Sequence, residues 1–191
     1  MMLVFTLSQG ASANTFPIEV YDRDVDYSIL MIDAAVSGDY QAGLLAEQVR
    51  LEKIMCMGLD EAIFSFEEFM LLAKIIHAEA GSSWLSSEWK MSVGEVVLNR
   101  VASPEFPDTI RDVIMQPGQY AGANSRWFKN LVPDQCSAEA ALRVMQGERL
   151  MTPTVVFQAN FRQGSGTHKV YHDRHLGTTY FCYSSNPSMY Y

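Results

Sequence analysis

The chain has few cysteines, and their number is odd. Cys56, Cys136 and Cys182 are the three cysteines among 191 residues, and they are widely spaced. Such a set does not form the disulfide framework of a small secreted scaffold. If one pair bridges, we expect Cys136 with Cys182, because both lie in the body of the domain. The sequence favours the absence of that bridge.

Basic residues are also scarce, and the acidic excess is confined to one end. The formal charge is −8, with 12 acidic and 3 basic side chains in residues 1–68 against 10 and 11 in residues 69–191. A nucleic-acid-binding domain normally carries a basic surface, so we expect no nucleic-acid partner. The near-neutral body is rich in aromatic residues, and the whole chain is 48% hydrophobic and 12% aromatic. This composition suits an uncharged or weakly charged polymer such as a glycan.

Long apolar runs are absent as well. The sequence has no run of 18 apolar residues, so we expect no membrane-spanning helix. Residues 1–13 begin with a short apolar run and end in Ala11-Ser12-Ala13, which matches a signal-peptide cleavage site but lacks the basic start. We interpret them as a truncated signal segment, with a frayed terminus as the alternative. The first interpretation predicts an extracellular or cell-wall-associated protein.

Signatures of nucleophilic and metal-dependent catalysis are missing. No G-x-S-x-G motif occurs, and no activating pattern surrounds the cysteines. His168, His172 and His175 lie close together in sequence, but their spacing fits no strong zinc pattern. We interpret them as part of a polar loop between strands, and we expect neither a metal nor another cofactor.

What is present is a helical half followed by a sheet half. Residues 28–55 have helical composition with a break at Gly38-Asp39, and their apolar residues from Leu44 to Leu51 predict a buried face that leaves Arg50 outside. Further helices are predicted over 87–101, from a cap at Asp108 to about 115, and over 137–146, with an irregular loop over 119–128. Strands are predicted over 154–159, 169–171 and 178–183.

This order of elements indicates an α+β fold with a small antiparallel sheet. We divide the chain into the possible signal segment at 1–13, an acidic helical arm or linker over 14–64, a main domain over 65–185 and a tail over 186–191.

The main domain opens with one capped apolar helix. Ser65 and Glu68 form the S-x-x-E pattern of a capping box, and Gly81 predicts a left-handed end. Glu79 therefore lies in the last turn, where the helix dipole disfavours a negative charge. The dipole and an apolar neighbourhood both raise a carboxyl pKa. A carboxylic acid that stays protonated can deliver a proton to a leaving oxygen, so Glu79 is the first catalytic candidate, with a surface glutamate as the alternative.

The next predicted helix, 87–101, offers two further carboxyl groups. Its apolar residues Met91, Gly94 and Val97 predict one buried face, with Gly94 allowing a close approach. Glu95 lies one residue off that face and could pair with Asn99, while Glu88 lies at the start of the helix. Glycosidases that hydrolyse usually use two carboxyl groups, but we favour a structural role for both.

Aromatic and amide side chains flank the loops and strand ends of the main domain. Aromatic rings can stack on sugar faces, and amides can bond to hydroxyl and acetamido groups. The predicted substrate-binding residues are Gln119, Tyr120, Phe157, Gln158, Asn160, Phe161 and Tyr180.

Several ordered segments are similar to the cell wall hydrolases of the SleB (spore-cortex-lytic enzyme) family. They run from Leu71 to Ala80, from Val93 to Val101, from Phe106 to Ile110 and from Gln116 to Tyr120. Val155–Phe161 and Tyr180–Cys182 fit the same family. The resemblance covers about residues 66–183 and leaves the acidic arm outside.

The resemblance implies a lysozyme-like fold, a peptidoglycan substrate and a catalytic glutamate in the Ala-Glu-Ala segment, which is Glu79 here. It also implies lytic transglycosylase chemistry between N-acetylmuramic acid and N-acetylglucosamine, with one glutamate as acid and base. Two alternatives stay open: a muramidase in which Glu95 or Glu88 orients water, and a catalytically silent glycan-binding module. The substrate could be spore cortex, vegetative wall or a host wall.

Overall fold

The computed structural model describes residues 25–190, and this part of the chain is α+β, as predicted. Helices come first, and a three-stranded antiparallel sheet follows. The helices are α1 (Tyr27–Ser37), α2 (Tyr40–Met57), α3 (Phe66–Ala80), α4 (Ser87–Val101), α5 (Ile110–Met115), α6 (Arg126–Asn130) and α7 (Gln135–Met145). The strands are β1 (Val155–Ala159), β2 (Thr167–Asp173) and β3 (Gly177–Tyr183). The arrangement is consistent with the expected lysozyme-like fold.

The N-terminal arm is a helical hairpin packed on the main domain. The break between α1 and α2 is confirmed, with Gly38 in the left-handed conformation and Asp39 capping α2. The predicted buried face of α2 is wrong: Leu44 and Leu45 are exposed, whereas Arg50 is only 2% exposed. Arg50 is buried because Ser28 Oγ and the Ala62 carbonyl accept its hydrogen bonds. Residues 1–24, including the suggested signal segment, lie outside the described residues.

Helix α3 begins as predicted, with the complete capping box between Ser65 and Glu68. Its predicted left-handed end is wrong, since Gly81 has φ −72° and ψ −9°. A Cβ at Gly81 would lie 2.2 Å from the His77 carbonyl oxygen. The glycine is therefore needed because the chain passes close to the last turn of α3, and not because of a positive φ.

Helix α4 lies at the centre of the domain. Its bounds match the prediction, but its amphipathic pattern does not, because every residue from Trp89 to Val97 is buried. It packs against α3, α5, α7 and β1. Gly94 permits the expected close approach: a Cβ there would lie 2.8 Å from Ile76 Cδ1 and 3.2 Å from Val144 Cγ2.

The shorter helices differ from prediction at their starts. Thr109, not Asp108, caps α5, because its hydroxyl accepts the Asp112 amide. The last three residues of the loop predicted over 119–128 instead form the start of α6, which Ser125 caps. Helix α7 begins two residues earlier than expected, because Asp134 accepts the Ser137 amide.

The sheet has the order β1-β3-β2, and both of its pairings are antiparallel. Val155 pairs with Tyr183 and Phe157 with Cys182, which leaves Val156 as an extra residue in β1. This β-bulge frees the Val156 carbonyl from the ladder. Bulges commonly redirect groups next to functional sites, and this one faces α4.

All three cysteines are free, so Cys136 and Cys182 are not bridged; Cys182 is buried in β3, whereas Cys136 is exposed on α7. The predicted tail is ordered through residue 190, since the Tyr190 hydroxyl bonds to Ser103 and Glu105. Within residues 25–190, none of the helices combines the length and apolar character needed to cross a bilayer.

Candidate active site at the end of helix α3

Glu79 is the penultimate residue of α3, and its side chain is open to solvent on one side. The Gln158 amide nitrogen donates a long hydrogen bond of 3.4 Å to Glu79 Oε2. Partial desolvation by the surrounding protein raises the pKa of Glu79, and the charge of Arg100 acts in the opposite direction. The carboxyl group is therefore both solvent-accessible and partly desolvated.

Arg100, near the end of α4, is the cation of this site and is 3% exposed. Its Nε donates to the Val156 carbonyl at 2.7 Å, which is the carbonyl that the bulge frees. The guanidinium lies 5.0 Å from the ring centroid of Phe106 and 5.4 Å from that of Tyr120. Backbone and rings thus fix a buried positive charge close enough to lower the pKa of Glu79.

Tyr120 adds a buried hydroxyl to the same site. Burial raises the pKa of Tyr120 most strongly, while the Arg100 charge lowers it and the Glu79 charge raises it. The ring is 8% exposed, and its hydroxyl has no hydrogen-bond partner among the described residues. Tyr120 therefore lies within electrostatic reach of both Glu79 and Arg100.

Three polar atoms around Glu79 are buried and unpaired in the described part of the chain. They are Arg100 Nη1, the Tyr120 hydroxyl and Gln158 Oε1. Leaving such an atom without a partner costs roughly 1–3 kcal/mol in a folded protein. Of these three atoms, the nitrogen can donate a hydrogen bond, the amide oxygen can accept one and the hydroxyl can do either.

A second buried cation fixes the carbonyl end of α3. Lys90, on α4, is 1% exposed, and its Nζ donates to the Ala80 carbonyl at 2.6 Å. Asp134 Oδ2 lies 3.9 Å from that ammonium, and the Asp134 amide donates to His77 Nδ1. A positive charge stabilises the negative end of a helix. Lys90 therefore holds the turn from which Glu79 projects.

The structure brings two of the predicted substrate-binding residues, Tyr120 and Gln158, to Glu79. Phe157 precedes Gln158 in the strand, so its side chain points to the opposite face of the sheet. It packs edge-on against Phe106 at 6.3 Å. The guanidinium of Arg162 lies 5.5 Å from the ring of Tyr180. The remaining three are exposed on loops: Gln119, Asn160 and Phe161.

The two other candidate carboxyl groups have structural partners. Glu95 is fully buried, and its two oxygens accept the amides of Leu150 and Met151 at 2.8 and 2.9 Å. The suggested pairing with Asn99 is wrong, because the Asn99 amide donates to the carbonyls of Thr152 and Val155. Glu88 forms an exposed ion pair with Lys169 at 3.3 Å. Both carboxyl groups are thus engaged by other groups of the fold.

The three clustered histidines have separate polar partners. His168 Nδ1 lies 2.9 Å from the Tyr183 hydroxyl, and His172 Nδ1 lies 2.8 Å from Thr178 Oγ1. Nε2 of His175 accepts a hydrogen bond from Arg174. Within residues 25–190, no group of three or more His, Cys, Asp and Glu side chains could hold a metal ion.

Arg100 and Lys90 were not predicted as site residues. Both lie on α4, which was predicted to be amphipathic, and the charged residues of an amphipathic helix normally face solvent. A signal was nevertheless present, because Arg100 lies within the Val93–Val101 segment that resembles the SleB family. Arginine and lysine are rarely buried unless they have partners, and here backbone carbonyls supply them.

The sequence model of the cell wall hydrolase family matches residues 86–184, which is just over half of the chain. Arg100, Tyr120 and Gln158 lie inside the matched segment, and Glu79 precedes it. A spore cortex-lytic enzyme of Halalkalibacterium halodurans is 30% identical over 87 residues, which cover 44% of this chain and 25% of that relative. The chain thus matches about a quarter of the length of its curated relative. No solved structure matches it. On the family match, the chain belongs to the cell wall hydrolases.

Proposed function

We propose that this protein cleaves the glycan strands of peptidoglycan between N-acetylmuramic acid and N-acetylglucosamine, with Glu79 as acid and then base. One observation carries the proposal: Glu79, whose pKa is raised by partial desolvation, is open to solvent and lies beside the buried charge of Arg100 and the amide of Gln158. The family membership and the name of the relative, a spore cortex-lytic enzyme, support a cell wall substrate.

The first step is protonation of the leaving oxygen. Protonated Glu79 gives its proton to the glycosidic oxygen, the C1–O bond of the muramoyl residue breaks, and positive charge develops on C1 and the ring oxygen. Desolvation keeps part of the Glu79 population protonated as the pH rises, because it disfavours the carboxylate. A raised pKa is therefore useful in this step.

In the second step Glu79 acts as a base. The Glu79 carboxylate takes the proton of the muramoyl C6 hydroxyl, and O6 bonds to C1 to give a 1,6-anhydro end. Glu79 is protonated again, so one carboxyl group serves the whole cycle. The fixed charge of Arg100 stabilises the carboxylate between the two steps, since it lowers the pKa of Glu79.

The unpaired polar atoms match an acetamido group. These atoms are buried, so binding requires their side chains to turn toward the sugar. The acetamido carbonyl then accepts from the Tyr120 hydroxyl or from Arg100 Nη1, and its N–H donates to Gln158 Oε1. A bound acetamido group would remove the cost of leaving these atoms unpaired. Sugars with N-acetyl groups, as in peptidoglycan, are therefore the preferred substrates in this proposal.

Hydrolysis is the alternative within the same substrate class. An inverting glycosidase places its second carboxyl group about 6.5–9.5 Å from the first, and a retaining one about 5–5.5 Å. Glu95 is buried with both oxygens bonded, and Glu88 is paired with Lys169. These engagements favour transglycosylation with a single carboxyl group over hydrolysis with two. A silent glycan-binding module is the alternative from another class.

The test is digestion of purified peptidoglycan by the wild type and by Glu79→Gln, with the muropeptides identified by mass spectrometry. We expect anhydro-muropeptides from the wild type and a rate lower by about 10²–10⁴-fold in the variant, the range typical of general acid–base catalysis. Reducing ends would indicate a muramidase. Binding without products from the wild type would indicate the silent module, and equal rates would overturn the role of Glu79.

The proposed substrate also sets where the protein acts. Peptidoglycan lies outside the cytoplasmic membrane, so cleavage requires an extracellular or cell-wall-associated protein. Fractionation of the producing cells, with detection of the protein in the wall and medium fractions, tests this location.

A further inference from the structure

Trp84 is a large aromatic residue held in solvent on the loop between α3 and α4. The residue is 60% exposed, and its indole nitrogen donates to Asp173 Oδ2 at 3.1 Å. An exposed indole that rotated freely would contribute little to binding a ligand. Here the bond to the end of β2 fixes the ring while leaving much of its surface open.

The turn that holds Trp84 is itself ordered by Asp173. Asp173 Oδ1 accepts the backbone amides of His175 and Leu176, at 2.8 and 2.9 Å. These backbone bonds, with the Trp84 bond as a smaller cause, hold the pKa of Asp173 below its usual range. The His175 ring meets the Trp84 ring edge-on, with 6.3 Å between centroids. The β2–β3 turn and the α3–α4 loop therefore form one continuous surface, joined by the contacts of Trp84 with Asp173 and His175.

A cavity of about 310 Å³ lies on this surface, lined by Trp84, Asp173, Arg174 and His175. Its lining combines one aromatic ring with three polar side chains that can form hydrogen bonds. The lining holds one acidic and one always-basic side chain, Asp173 and Arg174. This balance suits a neutral ligand with hydroxyl groups better than an anion or a cation.

The cavity lies near Glu79 but not at it. Trp84 follows Glu79 by five residues, so their Cα atoms are at most about 18 Å apart. Gln158, Phe181 and Lys169 are direct neighbours across the sheet, so their side chains share one face. Asp173 lies four residues beyond Lys169 in β2 and therefore belongs to that face too. Both Glu79 and Trp84 are thus contacted from the same face of the sheet.

We propose that the Trp84 cavity binds a pyranose ring of the glycan strand, several sugars away from the bond that is cleaved. The proposal rests on the proposed function. The apolar face of the sugar stacks on the indole, and Arg174 and His175 bond to hydroxyl groups at the rim. Long strands reach this cavity together with Glu79, whereas disaccharides and other short fragments do not.

The kinetic test compares Trp84→Ala and the wild type on long glycan strands and on short fragments. We expect the KM for long strands to rise about tenfold in Trp84→Ala, from the loss of one stacked aromatic contact. The kcat and the KM for short fragments stay unchanged, because the chemistry occurs elsewhere. Trp84→Phe keeps a ring and retains most of the preference for long strands. An unchanged ratio of KM values in a folded Trp84→Ala overturns the proposal.

Trp127→Ala is the matched control. Trp127 is 58% exposed and lines a different cavity with Arg126 and Leu131. We expect it to leave both KM values unchanged. An equal loss in Trp127→Ala would overturn the assignment to Trp84, because it would show a general effect of removing an exposed indole.

Binding is measured separately from cleavage, by calorimetry with peptide-free glycan strands. The Glu79→Gln background prevents turnover, and adding Trp84→Ala should weaken binding about tenfold. Unchanged binding overturns the Trp84 cavity even where cleavage by the wild type upholds the proposed function. Trp84-dependent binding without cleavage by the wild type overturns the catalytic role and leaves the cavity standing. An effect seen only with peptide-bearing strands would identify a peptide ligand and overturn the sugar assignment.

Discussion

The end of α3 and the middle of α4 each carry a glutamate in an apolar helix, and the two glutamates differ in every other respect. Glu79 is open to solvent and has one long hydrogen bond, to Gln158. Glu95 is fully buried, and two backbone amides saturate its oxygens. An acidic residue in an apolar helix is thus not by itself a sign of catalysis.

The two regions differ in whether the polar atoms around the glutamate have hydrogen-bond partners. The Glu95 carboxyl group accepts hydrogen bonds from two backbone amides of the segment that leads into β1. Around Glu79, buried polar atoms of Arg100, Tyr120 and Gln158 are left without partners. Satisfied polar groups stabilise a fold, whereas buried unpaired ones require a specific explanation, which at this site is the proposed contact with substrate. Substituting either glutamate, or a charged residue near one of them, tests this difference.

The largest effect on folding is expected for Glu95→Gln. The amide keeps one acceptor, but its nitrogen faces a backbone N–H, so one hydrogen bond to a charged group is lost. Such a bond contributes roughly 1.5–3 kcal/mol, and the free energy of unfolding should fall by that amount in urea titrations. An unchanged midpoint would contradict the structural role of Glu95.

Arg100→Met should move the pH dependence of cleavage. The Arg100 charge lowers the pKa of Glu79, so its loss raises that pKa further. Activity needs protonated Glu79 and falls as the pH rises through its pKa, so the descending limb of kcat/KM moves to higher pH. Arg100→Lys, which keeps the charge, is the control and should leave the limb near its wild-type position. A shift to lower pH in Arg100→Met would contradict this electrostatic link.

Glu79→Gln should have a smaller, pH-dependent effect on stability. The folded pKa of Glu79 is raised, so folding favours its protonated form. The stability linked to that proton is present below the unfolded pKa and is lost as the pH rises through the folded pKa. Thermal unfolding should therefore show Glu79→Gln gaining stability relative to the wild type as the pH rises above about 4, the pKa of an unfolded glutamate. A relative loss over this range would mean that the folded state favours the carboxylate.

Glu88→Gln should change least. The ion pair with Lys169 is exposed, and exposed pairs contribute about 0–1 kcal/mol. We expect unfolding within about 0.5 kcal/mol of the wild type and unchanged cleavage of peptidoglycan. A large loss of activity with normal stability would restore Glu88 as the second carboxyl group of a hydrolytic mechanism.

Local patterns predicted the elements of the fold well. The Ser65–Glu68 capping box, the bounds of α4 and the order of helices before strands all follow from signals within a few residues. The faces of the helices were less predictable. Arg50 and Lys90 have long side chains that reach backbone carbonyls from buried positions, and a pattern that sorts residues by hydrophobicity places such side chains outside.

The candidate site was predictable in part for the same reason. Glu79 stood out because it opposes the dipole of its own helix, which is a local property. Tyr120 and Gln158 were included among seven aromatic and amide residues, without a signal that set them apart from Phe157 or Tyr180. Arg100 reaches the site through the Val156 carbonyl, 56 residues away in the chain. That contact depends on the β-bulge in β1, which no local sequence pattern predicts.

The extra residue in β1 therefore limits which changes in chain length the domain can accept. Deleting one residue between Val155 and Gln158 would remove the bulge and leave a regular ladder, in which Gln158 still pairs with Phe181. Arg100 would lose the carbonyl that the bulge frees, although Arg100 and the other side chains of the site were still present. The loop over 160–166 should accept insertions more readily, because it lies beyond the residues that fix this register. Variation in the length of homologous chains should accordingly fall after Ala159 and not before it.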